Sequence, residues 1–544
     1  MICRLKISDD FFLRTVFRFA FVPKHAGRNS NEKPFSIIGF CDGASNHFFA
    51  RVPAFLLRAD NGGMDVFVFF RLIFIVLAVV GISLLLPLGV AVACGENSVV
   101  PSFLIPMIVS VALGLFFFFA GKKKTVRFST RSVFLFVASA WIFISLFGSV
   151  PLLMSGEFAS FADAFFESCS GFTTTGATVL SDIERLPRRL NLWRCEMHWL
   201  GGMGIIALTV ALLPLLGVGG FNLIKAESTG PEKGKITPKM ANTAEMLWIL
   251  YGSLTLLLAL ALKICGMDAI DCISYAFSTL GTGGFATRNA SVASYGSAPI
   301  EIVCTVFMFL AGVNFSLYFY IVTGKFSEVR RNTELKAYLV ICLVSSILIA
   351  VFLVPQFGGF FSALRYSAFQ VASIVSSTGY MTSDYLSWSP PAQFVIFALF
   401  FVGGCSGSTA GGFKVVRWCI LAKQCRNEMM KMLHPHGVFS IRLNGSAGRN
   451  DLVFTIGSFV FVYFALVVFT TFLGTLGHLD VLTSFTASLS MVGNIGPAFG
   501  SLGPADNYGV LPPALKFWYC FAMIAGRLEL YNLLILFLPE FWRK

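Results

Sequence analysis

The sequence predicts an all-α integral membrane protein. Two spans form an N-terminal hairpin, and four repeated helix–pore-loop–helix units follow around a central pore. Three observations carry this. Long uncharged runs recur at residues 72–95, 99–121, 132–156, 199–224, 302–324, 337–364 and 452–477. Each reaches the roughly 20 residues a helix needs to cross hydrocarbon. Only 13% of the 544 residues are charged while 56% are apolar, a balance that a soluble core of this size does not need. Finally, one pattern returns four times after residue 130: a span, a short apolar segment, a Gly/Thr/Ser-rich stretch and another span.

Residues 1–63 stand apart, with scattered Arg and Lys, no spanning run and loop signals such as "KHAGRNSNEKP". They read as a poorly ordered or mis-annotated extension, with Met64 as a natural start for an inner-membrane protein. Recovery of peptides from 1–63 by mass spectrometry would remove that expectation. Residues 64–124 hold the hairpin, and the repeats occupy 125–224, 225–324, 325–421 and 422–544.

The four short stretches are "TTTGATV" (173–179), "LGTGGFAT" (280–287), "SSTGYMT" (376–382) and "VGNIGPAFG" (492–500). The segments before them, 161–170, 268–278, 362–374 and 480–490, are about three turns long. Three begin near an Asp or Ser suited to an N-cap. Irregular backbone at membrane depth is tolerated only where protein buries it or where it lines an aqueous cavity. The short helices would aim their partly negative C-terminal ends at the centre, which favours a cation. Carbonyls of the extended stretches can replace an ion's hydration shell, and glycine adds no side chain to block the path.

The basic loops 121–131, 225–239, 325–336 and 414–450 fall on one side, which makes that side cytoplasmic. The net charge of +13 is therefore loop charge, not a nucleic-acid surface. "IERLPRRLNLWR" (183–194) conflicts, because its four Arg fall on the outer side. The cysteines (Cys94, Cys169, Cys304 and Cys520 among them) show no CxxC spacing and read as apolar packing. His434 and His436 flank Pro435 in a solvated loop. A membrane-embedded enzyme would need convergent polar groups at depth, and the spans offer only Glu196 and His198. A secondary transporter of a small solute would show inverted repeats and two broken helices.

Beyond the four stretches, "HWLGGMGIIALTVALLPLLGVGG" (198–220), "AESTGPEKGKITPKMANTAEMLW" (226–248), "FMFLAGVNFSLYF" (307–319), "GGCSGSTAGGFKVVR" (403–417) and "GRLELYNLLILFLPEFWR" (526–543) resemble the Trk/Ktr/HKT potassium transporter superfamily, in its bacterial TrkH/TrkG type. The resemblance spans nearly all of 64–544. It implies potassium uptake across the bacterial inner membrane, with K+ as the transported ion and no covalently bound cofactor. It also implies a homodimer on a cytoplasmic ring of TrkA-type nucleotide-binding subunits. Carried over, the ion-binding filter falls on Thr174, Thr175 and Gly176, on Thr282, Gly283 and Gly284, on Ser377, Thr378 and Gly379, and on Asn494, Ile495 and Gly496. Aligning Phe285 with Tyr380 selects Gly284 as the filter glycine of the second stretch. Some sodium-permeable plant relatives place Ser at the first glycine position, and this chain does not. The fourth stretch lacks the Thr/Ser-Gly pattern, so hydroxyls line at most three quarters of the ring.

The run 392–421 is interrupted by "GGCSGSTAGG" (403–412), whose Gly403, Gly404, Gly407, Gly411 and Gly412 are too dense for a helix. It reads as a flexible intramembrane loop that occludes the pore, with Lys414 and Arg417 anchoring the half-helix below; the family assigns it the same gating role. Arg527 lies within the last helix, too far from the basic chain end for easy snorkelling, and the resemblance places it in the cavity below the filter. Its neighbour Glu529 is on another face and forms no obvious pair with it. Glu167 sits in the first short helix as a partner of filter backbone, of a neighbouring helix or of a structural cation. Asp384 is an outer-vestibule charge or a solvated loop residue.

Overall fold

The computed structural model describes residues 66–120, 129–204, 240–437, 439–444, 446–447 and 451–542. The expectations for residues 1–63, for the run 199–224 beyond residue 204, and for the loops 121–128 and 225–239 lie outside them.

Val66–Ser83 (α1) and Leu85–Ala93 (α2) make the first span, and Val100–Ala120 (α3) returns against α1. Thr130–Met154 (α4), Phe161–Phe172 (α5) and Arg188–Gly202 (α6) follow. Next come Met240–Ile264 (α7), Ala269–Gly281 (α8), Ala298–Ala311 (α9), Phe315–Val322 (α10) and Phe326–Arg331 (α11). Thr333–Phe357 (α12), Phe360–Val375 (α13), Pro390–Leu399 (α14) and Val415–Leu433 (α15) precede a two-residue-per-strand hairpin, Arg442–Leu443 (β1) and Ser446–Ala447 (β2). Asp451–Leu476 (α16), Val481–Gly493 (α17), Pro513–Arg527 (α18), Tyr531–Leu534 (α19) and Pro539–Trp542 (α20) complete the chain.

Six helices among the described residues are long and apolar enough to span, and up to eight if two bent pairs each count as one. Their surfaces stay apolar: Ile264, Leu343 and Phe454 are largely exposed, as lipid-facing residues are. The short helices α5, α8, α13 and α17 are instead buried towards their C-terminal ends. Each packs on the long helix before it, α4, α7, α12 and α16. The second helix of one unit also meets the short helix of the next, α6 on α8 and α9 on α13. The last such helix, α18, packs on the first short helix, α5, so chain order closes on itself.

Ser160, Asp268 and Asp480 cap α5, α8 and α17, each side chain accepting a first-turn N–H. α13 differs from the sequence reading. It starts at Phe360 behind Gly359 and has no side-chain cap, so Ser362 lies inside it. The run 302–324 is not one straight span either. α9 and α10 meet at 94° across Gly312, Val313 and Asn314. Asn314 caps α10 by accepting from Ser316 N at 2.8 Å, which starts a new helix where the old one ends. The run 337–364 likewise stops at Gly358, whose φ of 68° closes α12.

Two of the four arginines that contradicted the charge bias are consumed inside the protein. Arg189 is buried and pairs with Glu96 of the α2–α3 turn, while Arg194 is buried against Glu167. Arg188 meets Asp268 at 3.5 Å on the surface. Charges fixed in this way are structural and say little about which side a loop faces.

Candidate ion-conduction site

The four glycine-bearing stretches share one backbone. Thr174, Thr282, Ser377 and Asn494 have φ of 56°, 55°, 56° and 52°, and the glycine two residues on, Gly176, Gly284, Gly379 or Gly496, has φ of 78°, 86°, 81° or 100°. Gly284, not Gly283, is thus in register with the other three.

The preceding helix end explains the first turn. Thr175 N, Gly283 N, Thr378 N and Ile495 N donate to Ser170 O, Ser278 O, Ser373 O and Ser490 O at 2.8–2.9 Å. One residue earlier, Thr174, Thr282, Ser377 and Asn494 donate to the carbonyl three residues back. This pair of bonds is the Schellman closure, which requires a left-handed residue at the turn. Asn tolerates that conformation. Thr, β-branched, does so only under strain. Three of the four stretches hold Thr or Ser there, so the surrounding packing must enforce the turn.

The glycines meet in a ring. A Cβ on Gly176 would run into Gly283 O, and one on Gly284 into Thr378 O. A Cβ on Gly379 would stand 2.5 Å from Ile495 O, and one on Gly496 2.6 Å from Thr175 O. Each stretch therefore presses on the middle carbonyl of the next, and the fourth presses on the first.

Most hydroxyls of these stretches are already engaged. Thr175 Oγ1 pairs with Thr173 Oγ1 at 2.9 Å, Thr378 Oγ1 with Ser376 Oγ at 2.7 Å, and Thr282 Oγ1 donates to Gly281 O at 2.6 Å. Ser377 Oγ accepts from Gly411 N at 2.6 Å. Asn494 Nδ2 ties the fourth stretch to Thr175 Oγ1 at 2.9 Å and to Met523 O at 3.0 Å. Thr174 Oγ1, by contrast, is buried with no hydrogen-bond partner among the described residues.

Two buried side chains, His198 and Glu167, brace the ring. His198 accepts from Phe285 N at 3.2 Å through Nε2, so its proton sits on Nδ1 and is donated to Gly171 O at 2.8 Å. It joins the end of α5 to the second stretch, and a Cβ on Gly283 would strike its ring. Glu167 resolves into two of its proposed roles at once. It accepts from Val179 N at 2.9 Å and pairs with Arg194 at 2.7 Å.

Asp384 caps the turn 385–387 by accepting from Leu386 N at 2.9 Å. Outside the membrane, Asp182 lies below the usual carboxylate range, because the Asn289 side chain donates to it and stabilises the ionised form.

Beneath the third and fourth stretches the chain leaves helix between α14 and α15. This non-helical segment, 400–414, carries Gly403, Gly404, Gly407, Gly411 and Gly412. Gly411 abuts Gly493 O and Asn494 Cβ, which would lie 2.5 and 2.9 Å from an added Cβ. The loop is tied to the α9–α10 bend through Cys405 N to Gly312 O at 2.9 Å and Phe315 N to Gly407 O at 3.0 Å. Lys414 does not anchor the half-helix below, as the sequence suggested. It folds back onto the loop's own Ala410 and Gly411 carbonyls. Arg417 pairs with Glu529 and lies over the Phe459 ring at 3.7 Å.

Arg527 is the last residue of α18, not an interior one, and the chain then bends by 114° into 531–537. Positive φ at Glu529 and Leu530 makes that bend. Arg527 donates to Thr409 O at 2.9 Å, Gly201 O at 2.5 Å and Gly202 O at 2.9 Å, joining the loop to the end of α6. A small pocket lies here, lined by Gly411, Lys414, Arg417, Val492, Arg527 and Glu529 among others.

The four glycine turns thus close into a ring above the non-helical segment 400–414. A family model described as TrkH, cation transport protein, matches residues 100–357 and 359–544. The chain belongs to the TrkH family. It is 35% identical over 451 residues to the Trk system potassium uptake protein TrkH of Halomonas elongata, covering 81% of this chain and 92% of that one. It is 36% identical to TrkG of Escherichia coli K12, covering 85% and 96%. The crystal structure of the potassium transporter TrkH from Vibrio parahaemolyticus superposes with a TM-score of 0.77 at 32% identity, covering 87% of this chain and all of that one. As a TrkH-family chain with several spanning helices, this is a multi-pass membrane transport protein rather than an enzyme.

Proposed function

We propose that this protein takes up potassium across the bacterial inner membrane through the ring of Gly176, Gly284, Gly379 and Gly496, with residues 400–414 as its gate. The observation that carries the reading is the ring itself: four identical turns, each pressing on the middle carbonyl of the next. Carbonyls held at a fixed spacing by backbone contacts can replace an ion's water shell. The middle carbonyls of Thr175, Gly283, Thr378 and Ile495 and the flanking Thr174, Thr282, Ser377 and Asn494 belong to the same ion site. The C-terminal ends of α5, α8, α13 and α17 supply negative potential there. The four units then surround one pore, with the α1–α3 hairpin outside it. Relatives at about 35% identity that bear the name of Trk potassium uptake proteins support potassium as the ion. The name Trk system implies further Trk components, and we propose that these are a second copy of the chain and a cytoplasmic TrkA-type nucleotide-binding subunit.

Expression in a bacterium lacking potassium uptake tests this directly. Growth on limiting potassium should return. Verified membrane expression without growth would end the reading.

Arg527 places a cation beside the path and holds the loop by its Thr409 carbonyl. Arg527→Ala should raise potassium flux per protein roughly tenfold, the factor for losing about 1.4 kcal/mol of closed-state preference. Flux in liposomes at matched protein is the readout. A variant that only expresses less, with parental flux per molecule, would assign Arg527 to folding alone.

A further inference from the structure

The loop 400–414 must be held closed by something that can let go. Its upper face rests on Ser377 and Arg527. The middle of the loop and the first turn of α15 converge elsewhere, on Glu334 in the first turn of α12. One oxygen, Glu334 Oε1, accepts from Ser406 N at 2.7 Å and from Val416 N at 3.0 Å. Ser406 lies in the loop and Val416 opens the half-helix below it.

This is unusual use of a first-turn glutamate, which ordinarily serves its own helix. α15 explains the need. Its first N–H groups have no partner within the helix. The residue at its N-cap is Lys414, whose ammonium cannot accept a hydrogen bond and which makes no side-chain cap. Glu334 supplies the missing cap from another helix and clasps the loop with the same atom. Parting the loop from the first turn of α15 breaks a charge-assisted bond.

Glu334 is positioned from the cytoplasmic side. Its neighbour Thr333 exchanges two hydrogen bonds with Asn444 in the turn of the β1–β2 hairpin: Thr333 N donates to Asn444 Oδ1 at 2.9 Å, and Asn444 N to Thr333 Oγ1 at 3.4 Å. The hairpin is also fixed to α15. Ile441 and Leu443 pack in one buried cluster with Val416 and Ile420. Lys423 Nζ donates to Arg442 O at 2.6 Å. The hairpin thus grips both the helix that carries the clasp and the helix that the clasp caps.

We infer that Glu334 is the positioning residue of the closed gate, and that the β1–β2 hairpin sets whether it reaches both Ser406 of the loop and Val416 of α15. This rests on the reading of 400–414 as a gate. A movement of the hairpin relative to α12 would draw Val416 and Ser406 away from one shared acceptor, so a small displacement outside the membrane would release the loop within it.

The test is rubidium flux per protein in liposomes without any partner subunit, for the full chain and for Glu334→Ala, Glu334→Gln, Asn444→Ala and a deletion of 405–410. Glu334→Ala should raise basal flux roughly tenfold, toward the deletion, since bonds to a charged acceptor are lost. Glu334→Gln keeps an acceptor oxygen in the same place and should return flux to near the parent. Asn444→Ala should give an intermediate rise. The rubidium-to-sodium ratio should not move, because the glycine ring is untouched. Parental flux in Glu334→Ala while the deletion leaks would overturn the inference and leave the gate reading standing, and so would a Gln variant that leaks like Ala. Parental flux in the deletion itself would bring down the gate reading and this inference with it. Should Glu334→Ala fail to fold, Asn444→Ala at the surface decides, and parental flux there overturns the proposal.

Discussion

Gly176→Ser and Gly379→Ser are each expected to lose most of the preference for potassium over sodium while the protein still reaches the membrane. Two effects act together at each position. The backbone sits at φ of 78° and 81°, a region that costs an ordinary residue roughly 1–2 kcal/mol. The new Cβ also meets backbone that cannot move aside. At Gly379 it would lie 2.5 Å from Ile495 O and 2.9 Å from Pro497 Cδ, and at Gly176 it overlaps Gly283 O. The overlapped atoms are the middle carbonyls of the neighbouring stretches. A serine therefore displaces the groups that would replace an ion's hydration shell, and does so in the next stretch as well as its own. A fall of roughly tenfold or more in the potassium-to-sodium flux ratio follows if the spacing of the carbonyls sets about 1.4 kcal/mol or more of discrimination. Gly252→Ala and Gly457→Ala are the controls. Both glycines lie in helices, with nothing within 4 Å of an added Cβ. Flux ratios unchanged in both serine variants would remove the ring from selectivity.

Much of this arrangement is legible in the sequence because it rests on local rules. The short helices were placed within three residues of their ends, since Asp268, Asp480 and the Ser160 region carry cap chemistry and apolar periodicity stops at the glycines. The break at 403–412 is legible because dense glycine defeats a helix at any depth. The misreadings have one physical source, contacts between segments far apart in sequence. Thr174 and Thr282 are poor left-handed residues by themselves, and only the packed ends of α5 and α8 hold them there. The bend at Gly312 forms because the loop 400–414 docks on it. Arg189 and Arg194 looked like outer loop charge until their partners, Glu96 and Glu167, were placed in space. Glu334 carried no motif at all; what marks it is a helix elsewhere that begins with a lysine where an acceptor is needed.

Arg194→Ala should be the most destabilising single change in the ring's support, by about 3–5 kcal/mol, because it strands a buried carboxylate. Arg194 and Glu167 are both fully buried. Arg194 Nε and Nη2 hold Glu167 Oε1 at 2.8 and 2.7 Å, and Nη1 reaches Asn191 Oδ1 at 2.8 Å. The guanidinium lies over the Phe285 ring at 4.1 Å, directly after Gly284. Glu167 in turn accepts from Thr178 Oγ1 and Val179 N, each at 2.9 Å, directly after Gly176. One ion pair thus braces the outer ends of two neighbouring stretches against α5 and α6. Removing the cation leaves Glu167 with its two remaining donors and no counter-charge, and frees Phe285. Both stretches should loosen, so the melting temperature in detergent and the potassium-to-sodium ratio should fall together. Glu167→Gln combined with Arg194→Gln removes both charges and keeps polar groups on both sides. That pair should cost less than the sum of the two single changes, since neither charge is left alone. Additive losses in the double variant would mean that the two side chains act independently. A lower melting temperature with an unchanged flux ratio in Arg194→Ala would confine the pair to folding and separate it from the ring.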